Sequence, residues 1–271
     1  MVTRAPKNKA AIMAAEIFKA SQKSNRMCLI LLSWQESAQR PLVVAANRDE
    51  FFQRPTEAAH FWPDQPDVLA GRDGEYGGSW LGLSRSGRFA AITNLREASG
   101  GERSRGELVR DFLSSSTSCD YFFESVEANK AAYRPFNMIA FDGQQLAISH
   151  SLQSGWQALP PGLHCVGNIP FGEHNAKINK ALSDFEGRMS KDSAAALLAL
   201  MQDDTESESS PEPLQRALSC RFVRSDVYGT RSSSALMLDD KHRWDFWEQN
   251  FDDKQRASAL QYFQLQGSVK R

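Results

Sequence analysis

From residue 28 onward the apolar positions fall into short runs set apart by turn-forming residues. Cys28-Leu29-Ile30-Leu31-Leu32-Ser33-Trp34 is one such run, and Pro41-Leu42-Val43-Val44-Ala45-Ala46 is the next. Continuous apolar runs this short predict buried strands, and the polar stretch 35–39 between them predicts a hairpin. Further strand pairs are expected at 77–84 with 88–94 around Ser86-Gly87, and at 136–141 with 145–150 around Asp142-Gly143. An Asp-Gly pair favours the tight turns that match strand twist. A fourth pair is expected at 232–238 with 244–251 around Asp239-Asp240-Lys241. Apolar residues three and four apart predict helices at 104–113, 120–132, 175–188 and 193–201, while the acidic, serine-rich stretch 202–213 predicts a mobile surface loop. Strands grouped in hairpins with helices between them predict antiparallel sheets covered by helices, an α+β arrangement. Residues 27–271 are expected to form a single domain.

Residues 1–26 break that pattern. Arg4, Lys7, Lys9, Lys19, Lys23 and Arg26 face one acid, Glu16, and Ile12, Met13, Ile17 and Phe18 can share one helical face. This basic stretch fits a transit peptide, which would send the chain to the mitochondrion of a eukaryote. It fits equally an extension upstream of a start at Met27, and the protein is then expected to be cytoplasmic. The whole chain has a formal net charge of −1, so no global field favours nucleic acid as a partner. No apolar run reaches the length of a transmembrane segment. Cys28, Cys119, Cys165 and Cys220 have no C-x-x-C spacing and read as reduced thiols. The five histidines have no metal-ligand spacing, so no metal site and no required cofactor are expected.

The candidate chemistry lies at the start of the first strand and after the second. Cys28 directly follows Met27. A cysteine freed at a new N-terminus carries both a thiol nucleophile and an α-amine base. With a peptide bond on its nitrogen it has no such base. Asn47-Arg48-Asp49-Glu50 follows Val43-Val44-Ala45-Ala46, so four polar residues are expected where a buried strand ends. Such a cluster is either a solvated strand end with local ion pairs or a site in which an acid and an arginine hold charged groups.

The longer run Ala45-Ala46-Asn47-Arg48-Asp49-Glu50-Phe51-Phe52-Gln53-Arg54-Pro55-Thr56 resembles the signature of the NRDE, or Transport and Golgi organisation 2, family. Further blocks resemble it in order: Ala70-Gly71-Arg72-Asp73, Gly77 to Gly82, Gly87 to Asn94, Ser104-Arg105-Gly106, Phe136-Asn137-Met138, Gly167-Asn168 and Tyr228 to Ser233. The resemblance runs from Met27 to the C-terminal strands. It extends, more distantly, to cysteine N-terminal-nucleophile hydrolases such as penicillin V acylase. It therefore implies a four-layer αββα sandwich of the N-terminal-nucleophile hydrolase type. It also implies a catalytic set of Cys28, Asp49, Asn94, Asn168 and Arg231, with Asn47, Arg48 and Glu50 binding ligand.

In those roles Cys28 attacks an acyl carbon, Asp49 holds its amine, and Asn94 with Asn168 stabilises the oxyanion. Arg231 would hold the cysteine end or bind a carboxylate. Family association with haem trafficking and lipid metabolism implies instead an intracellular carrier. Its small-molecule ligand would be haem as cargo or an amphipathic acyl compound, with Arg48 and Arg231 on its acidic groups. Carrier and cysteine amidohydrolase both stay open at the level of sequence, because fold does not settle function.

Overall fold

The computed structural model describes residues 28–95, 101–189 and 193–267. The basic stretch 1–26 lies outside these residues. Thirteen strands form two antiparallel sheets. The six-stranded sheet has the order β10 (Gly162–Val166), β1 (Leu29–Trp34), β2 (Leu42–Phe51), β11 (Tyr228–Leu238), β12 (Arg243–Asn250), β13 (Gln261–Gln266). The seven-stranded sheet runs β3 (Thr56–Trp62), β4 (Gln65–Asp73), β5 (Leu81–Ser84), β6 (Phe89–Asn94), β7 (Phe136–Phe141), β8 (Leu146–His150), β9 (Trp156–Ala158). Among the described residues five α-helices accompany them: α1 (Gly106–Ser114), α2 (Cys119–Asn129), α3 (Ala176–Met189), α4 (Ala194–Met201) and α5 (Pro213–Ser219).

Side-chain alternation along the strands builds the layers. Ile30, Leu32, Val44, Leu236 and Phe246 of the first sheet pack against Leu83, Phe89, Ile139 and Ile148 of the second. The alternate residues Leu29, Leu31, Val43, Ala45 and Ala235 face outward onto Ile178 and Phe185 of α3 and Leu197 and Leu198 of α4. On the far side, Ala90, Met138 and Ala140 face Leu108, Phe112 and Phe123 of α1 and α2. The result is the four-layer αββα sandwich. Both sheets are buried on two faces, which is why β1 and the first half of β2 read as unbroken apolar runs.

The four expected hairpins are present, with small shifts in their ends. The outcome at β2 is different and matters for the site. The strand does not stop at Ala46 but continues to Phe51, paired to β11 through Phe51 opposite Tyr228. Asn47 to Glu50 therefore lie within a strand and alternate between its faces. β3, β4, β9 and β13, and the helix α5 that begins where the expected loop ends, were not signalled by periodicity. β3 pairs β4 through two register shifts, at Glu57/His60 and Phe61/Trp62, which scramble the alternation that a strand shows in sequence.

Candidate active site and anion cleft

Alternation along β2 divides the polar quartet. Leu42, Val44 and Ala46 face the gap between the sheets, and so do Arg48 and Glu50. Val43 and Ala45 face the outer helices, and so does Asn47, while Asp49 bonds Thr230 with its carboxylate and also borders the cleft. Leu29 pairs with Asn47, so the residue before it, Cys28, arrives beside Arg48 and Asp49. Cys28, Arg48, Glu50, Arg54, Trp80 and Asn94 line a cleft of about 90 Å³ that also receives Arg105 and Arg134.

Arg48 is 6% exposed, and three groups fix it. Its Nη1 donates to the Thr56 hydroxyl at 3.0 Å, its Nη2 lies 3.7 Å from Asp73 Oδ2, and its guanidinium sits 4.2 Å from the centre of the Trp80 ring. Trp80 can lie there because it covers Gly71, where a Cβ would fall 2.2 Å from the indole. Arg54 donates to Asp73 at 2.6 Å and reaches Glu50 and Glu75 at 3.8 and 3.0 Å. Burial pushes the Asp73 carboxyl up, but the Arg54 hydrogen bond and charge outweigh it and hold the group below its ordinary range.

Arg105 and Arg134 lack this compensation. Arg105 donates to the Pro135 carbonyl at 2.6 Å and Arg134 to the Tyr76 hydroxyl at 3.0 Å. Among the described residues neither has a carboxylate within ion-pair distance. Burial, and then the charge of Arg134, lower the Arg105 guanidinium to about 10. Arg105 reaches the cleft because α1 starts against the Gly78-Ser79 segment. A Cβ on Gly78 would fall 2.4 Å from the Gly106 carbonyl carbon, and Ser79 N–H donates to Gly106 O at 3.1 Å.

The thiol of Cys28 donates to the backbone carbonyl of Asp49 at 3.6 Å. Burial, and then the Asp49 charge, push that thiol up to about 11. The Asp49 carboxylate itself accepts from the Thr230 hydroxyl at 2.7 Å on the outer face, while its carbonyl also accepts from Tyr228. Asn94 ends β6 at the cleft, and the Asn168 amide donates to the Asn94 carbonyl at 2.7 Å. The structure thus brings Cys28, Arg48, Asp49, Glu50 and Asn94 to one cleft, with Asn168 directly behind Asn94.

Two of the expected site residues point elsewhere. Asn47 is 2% exposed and faces the outer layer. Its amide donates to the Met201 and Arg221 carbonyls at 2.7 and 2.9 Å, and its oxygen accepts from Ser233 at 2.7 Å. It ties β2 to the loops that flank α4 and α5. Arg231 is the extra residue of a β-bulge: Asp49 pairs with Thr230, and Arg48 pairs with Ser232. The bulge re-aims its side chain, and Nη1 donates to the carbonyls of Phe51, Phe52 and Arg54 at 2.9, 3.3 and 3.2 Å. It binds the turn between β2 and β3 and does not line the cleft. Arg54, Asp73, Trp80, Arg105 and Arg134 complete the cleft without having been singled out as site residues. Arg54, Asp73, Trp80 and Arg105 each lie within a block that carries the family resemblance, which was the available signal, and Arg134 does not.

Among the described residues no three of His, Cys, Asp and Glu converge on a point that could hold a metal ion. No helix among them is long and apolar enough to cross a membrane.

Comparison with known proteins finds relatives over most of the chain. The Transport and Golgi organisation 2 family model matches residues 27–253. The Transport and Golgi organization protein 2 homolog of Bos taurus is 30% identical over 89% of this chain and 100% of its own length. The Homo sapiens homolog is 28% identical over 84% of this chain and 94% of its own. Among solved structures, a Caenorhabditis elegans N-acylethanolamine-hydrolyzing acid amidase orthologue aligns at 11% identity and a TM-score of 0.41, over 77% of this chain and 92% of that one. Penicillin V acylase from Agrobacterium tumefaciens aligns at 11% identity and a TM-score of 0.42, over 87% and 90%. Those two likenesses are too distant to bear on activity. The family match and the full-length relative place this chain in the Transport and Golgi organisation 2 family.

Proposed function

We propose that the cleft binds the anionic head of an amphipathic acyl compound, with the acyl carbonyl end towards Cys28. The observation that carries this reading is the excess of guanidinium in the cleft. Arg48, Arg54, Arg105 and Arg134 line it against three acids, of which Asp73 and Glu50 are engaged by Arg54 and Asp49 accepts from the Thr230 hydroxyl. Charge held partly out of water is costly unless paired, so Arg105 and Arg134, half-buried and without a carboxylate partner among the described residues, favour an anion that brings its own charge-assisted hydrogen bonds. At about 90 Å³ the cleft takes a carboxylate or phosphate and the first carbons of a chain. Pockets that engulf a whole drug-sized ligand hold roughly 300–1,000 Å³. Haem as cargo would accordingly place a propionate here and leave its ring outside. In this reading the protein is a carrier that grips cargo by the head group.

The test is calorimetric titration with decanoate, decanoyl-coenzyme A and haem, on the full chain and on Arg105→Met. Saturable binding of the acyl anions that Arg105→Met weakens supports the reading. Binding that is indifferent to Arg105 sinks it.

A second reading is favoured by Cys28 facing the same cleft as Asn94. If Cys28 becomes the first residue, its amine titrates at about 7.7–8.0 and can take the thiol proton. Cys28 would then attack a bound amide or acyl carbonyl, with Asn94 as oxyanion donor and Asn168 positioning Asn94. Intact mass and N-terminal sequencing of protein from its own host, followed by N-acyl amide hydrolysis assays on Cys28→Ala, separate a hydrolase from a carrier.

A further inference from the structure

A larger cavity, of about 280 Å³, lies at the opposite end of the sandwich. Asn94 at the far end of β6 lines the Cys28 cleft, whereas Arg88 and Gly87 before its first residue line this second cavity. Phe141 at the end of β7, Leu238 at the end of β11 and Trp244 at the start of β12 form its apolar wall. All three are at most 3% exposed and belong to the layer between the sheets. The opposite wall is the hydroxyl-rich segment Ser116-Thr117-Ser118 between α1 and α2.

Arg88 is the informative residue. It is 4% exposed, yet it has no carboxylate within ion-pair distance among the described residues. Its Nε donates to the Phe112 carbonyl at 3.1 Å, its Nη2 to the Ser115 hydroxyl at 3.4 Å, and its guanidinium lies 3.9 Å from the centre of the Phe112 ring. Nη1 has no hydrogen-bond partner among the described residues. Asp142, the acid on the cavity wall, already accepts from the backbone amides of Cys119, Gln144 and Gln145 at 2.9, 3.0 and 2.9 Å. A guanidinium with a further donor beside a cavity can receive an anion there.

We propose that this cavity is a second ligand site, for a small carboxylate with an apolar body. The carboxylate bonds Arg88, and the body packs on Phe141, Leu238 and Trp244. One guanidinium, with the Asp142 charge on the same cavity, suits a monoanion and disfavours a phosphate dianion. The apolar wall between the sheets favours an aromatic or short-chain body over a sugar or polyol.

The probe is 3-phenylpropanoate, titrated into the full chain by calorimetry and ligand-observed NMR, with 3-phenylpropanamide as its neutral counterpart. The acid is expected to bind at least about tenfold more tightly than the amide. Arg88→Met should remove that preference. Gln144→Trp places a large side chain at the exposed mouth and keeps the Gln144 backbone bond to Asp142, so it should also weaken binding at least about tenfold. It keeps the test available if Arg88→Met does not fold. Arg105→Met should leave this binding unchanged, which separates the site from the Cys28 cleft. Absent binding, equal binding of acid and amide, indifference to Gln144→Trp, or loss in Arg105→Met would each overturn the proposal.

Discussion

Cys28 and Asp49 meet through a backbone carbonyl and not through a carboxylate: the thiol donates to Asp49 O at 3.6 Å, while Asp49 Oδ1 accepts from Thr230 on the other face of β2. This divides the roles that an acid next to a cysteine would otherwise combine. The aspartate charge adds to the burial that opposes thiolate formation.

The first prediction concerns that thiol. With its pKa pushed up to about 11, Cys28 is almost wholly protonated at neutral pH. Iodoacetamide modification followed by peptide mass spectrometry should rise about tenfold per pH unit from pH 7 to 10. A chain freed at Cys28 should behave differently, because the titrating amine sits on the same residue. Its rate should level off near pH 8. A plateau near pH 8 in a chain that retains residue 27 would refute the environment described for Cys28.

Arg105 should be a binding residue and not a structural one. Its replacement by methionine removes a half-buried charge with no carboxylate partner among the described residues and leaves the Pro135 carbonyl short of one donor. The two effects oppose each other, so stability should change by less than about 1 kcal/mol. The loss of charge-assisted hydrogen bonds to an anion should cost about 1.5–3 kcal/mol of affinity. Urea denaturation beside ligand titration checks both numbers, and a large stability loss with unchanged affinity would reverse the assignment.

Asn47→Ala should do the opposite. It orphans the Met201 and Arg221 carbonyls and the Ser233 hydroxyl in a site closed to water. A loss of roughly 1–3 kcal/mol or more in denaturant unfolding is expected, with acyl-ligand affinity unchanged at temperatures where the variant is folded. The pair Asn47 and Arg105 therefore tests the geometry directly, because sequence alone placed the first in the site and not the second.

That contrast shows where the sequence was readable. The apolar runs and turn pairs identified β1, four hairpins and four of the five helices, because those signals are local. The end of β2 was not readable. Polar residues usually close a buried strand, but here Asn47 is satisfied by carbonyls more than 150 positions away in the chain and Asp49 by Thr230. Whether Asn47 or Arg48 faced the cleft depended on the strand continuing, since one position flips the face. Arg105 was hidden for a related reason. Its position follows from the close approach of Gly78 and Gly106, two segments with no periodic relation in sequence.

That close approach gives a further prediction. A methyl group at Gly78 would lie 2.6 Å from the Gly106 oxygen and 2.9 Å from the Glu107 nitrogen, both backbone atoms. The start of α1 must retreat, which weakens the Ser79 N–H bond to Gly106 O and draws Arg105 out of the cleft. Gly78→Ala should lower stability by about 1–3 kcal/mol, the usual cost of overpacking. It should also lower affinity for the acyl anion. A variant that binds normally would show that Arg105 reaches the cleft without this contact.

The pH dependence of stability should carry the mark of Glu248. This carboxyl, on β12, is fully enclosed between the sheets, and its Oε1 accepts from the Ala59 N–H at 2.7 Å and the Asn250 amide at 3.0 Å. Burial raises its pKa above the ordinary 4.5, against the opposing pull of those hydrogen bonds and the Arg48 charge. The unfolded chain therefore releases this proton at a lower pH than the folded chain does. Stability from this group is complete below about 4.5 and falls as pH rises towards the folded-state value. Carboxyls such as Asp73 and Asp142, whose values are lowered, act in the other direction and lose their contribution only as pH drops through 3.8 and below. Across the interval from pH 5 to 7.5 the difference between the unsubstituted chain and Glu248→Gln therefore reports this one group. Glu248→Gln keeps an oxygen acceptor for Ala59 and removes the proton. Its unfolding free energy should be less dependent on pH than that of the unsubstituted chain across this interval. The difference between the two should grow steadily with pH, by up to about 1.4 kcal/mol per unit. Parallel curves for the two proteins would mean that Glu248 ionises in the folded state as readily as in the unfolded one, with the Arg48 charge compensating its burial in full.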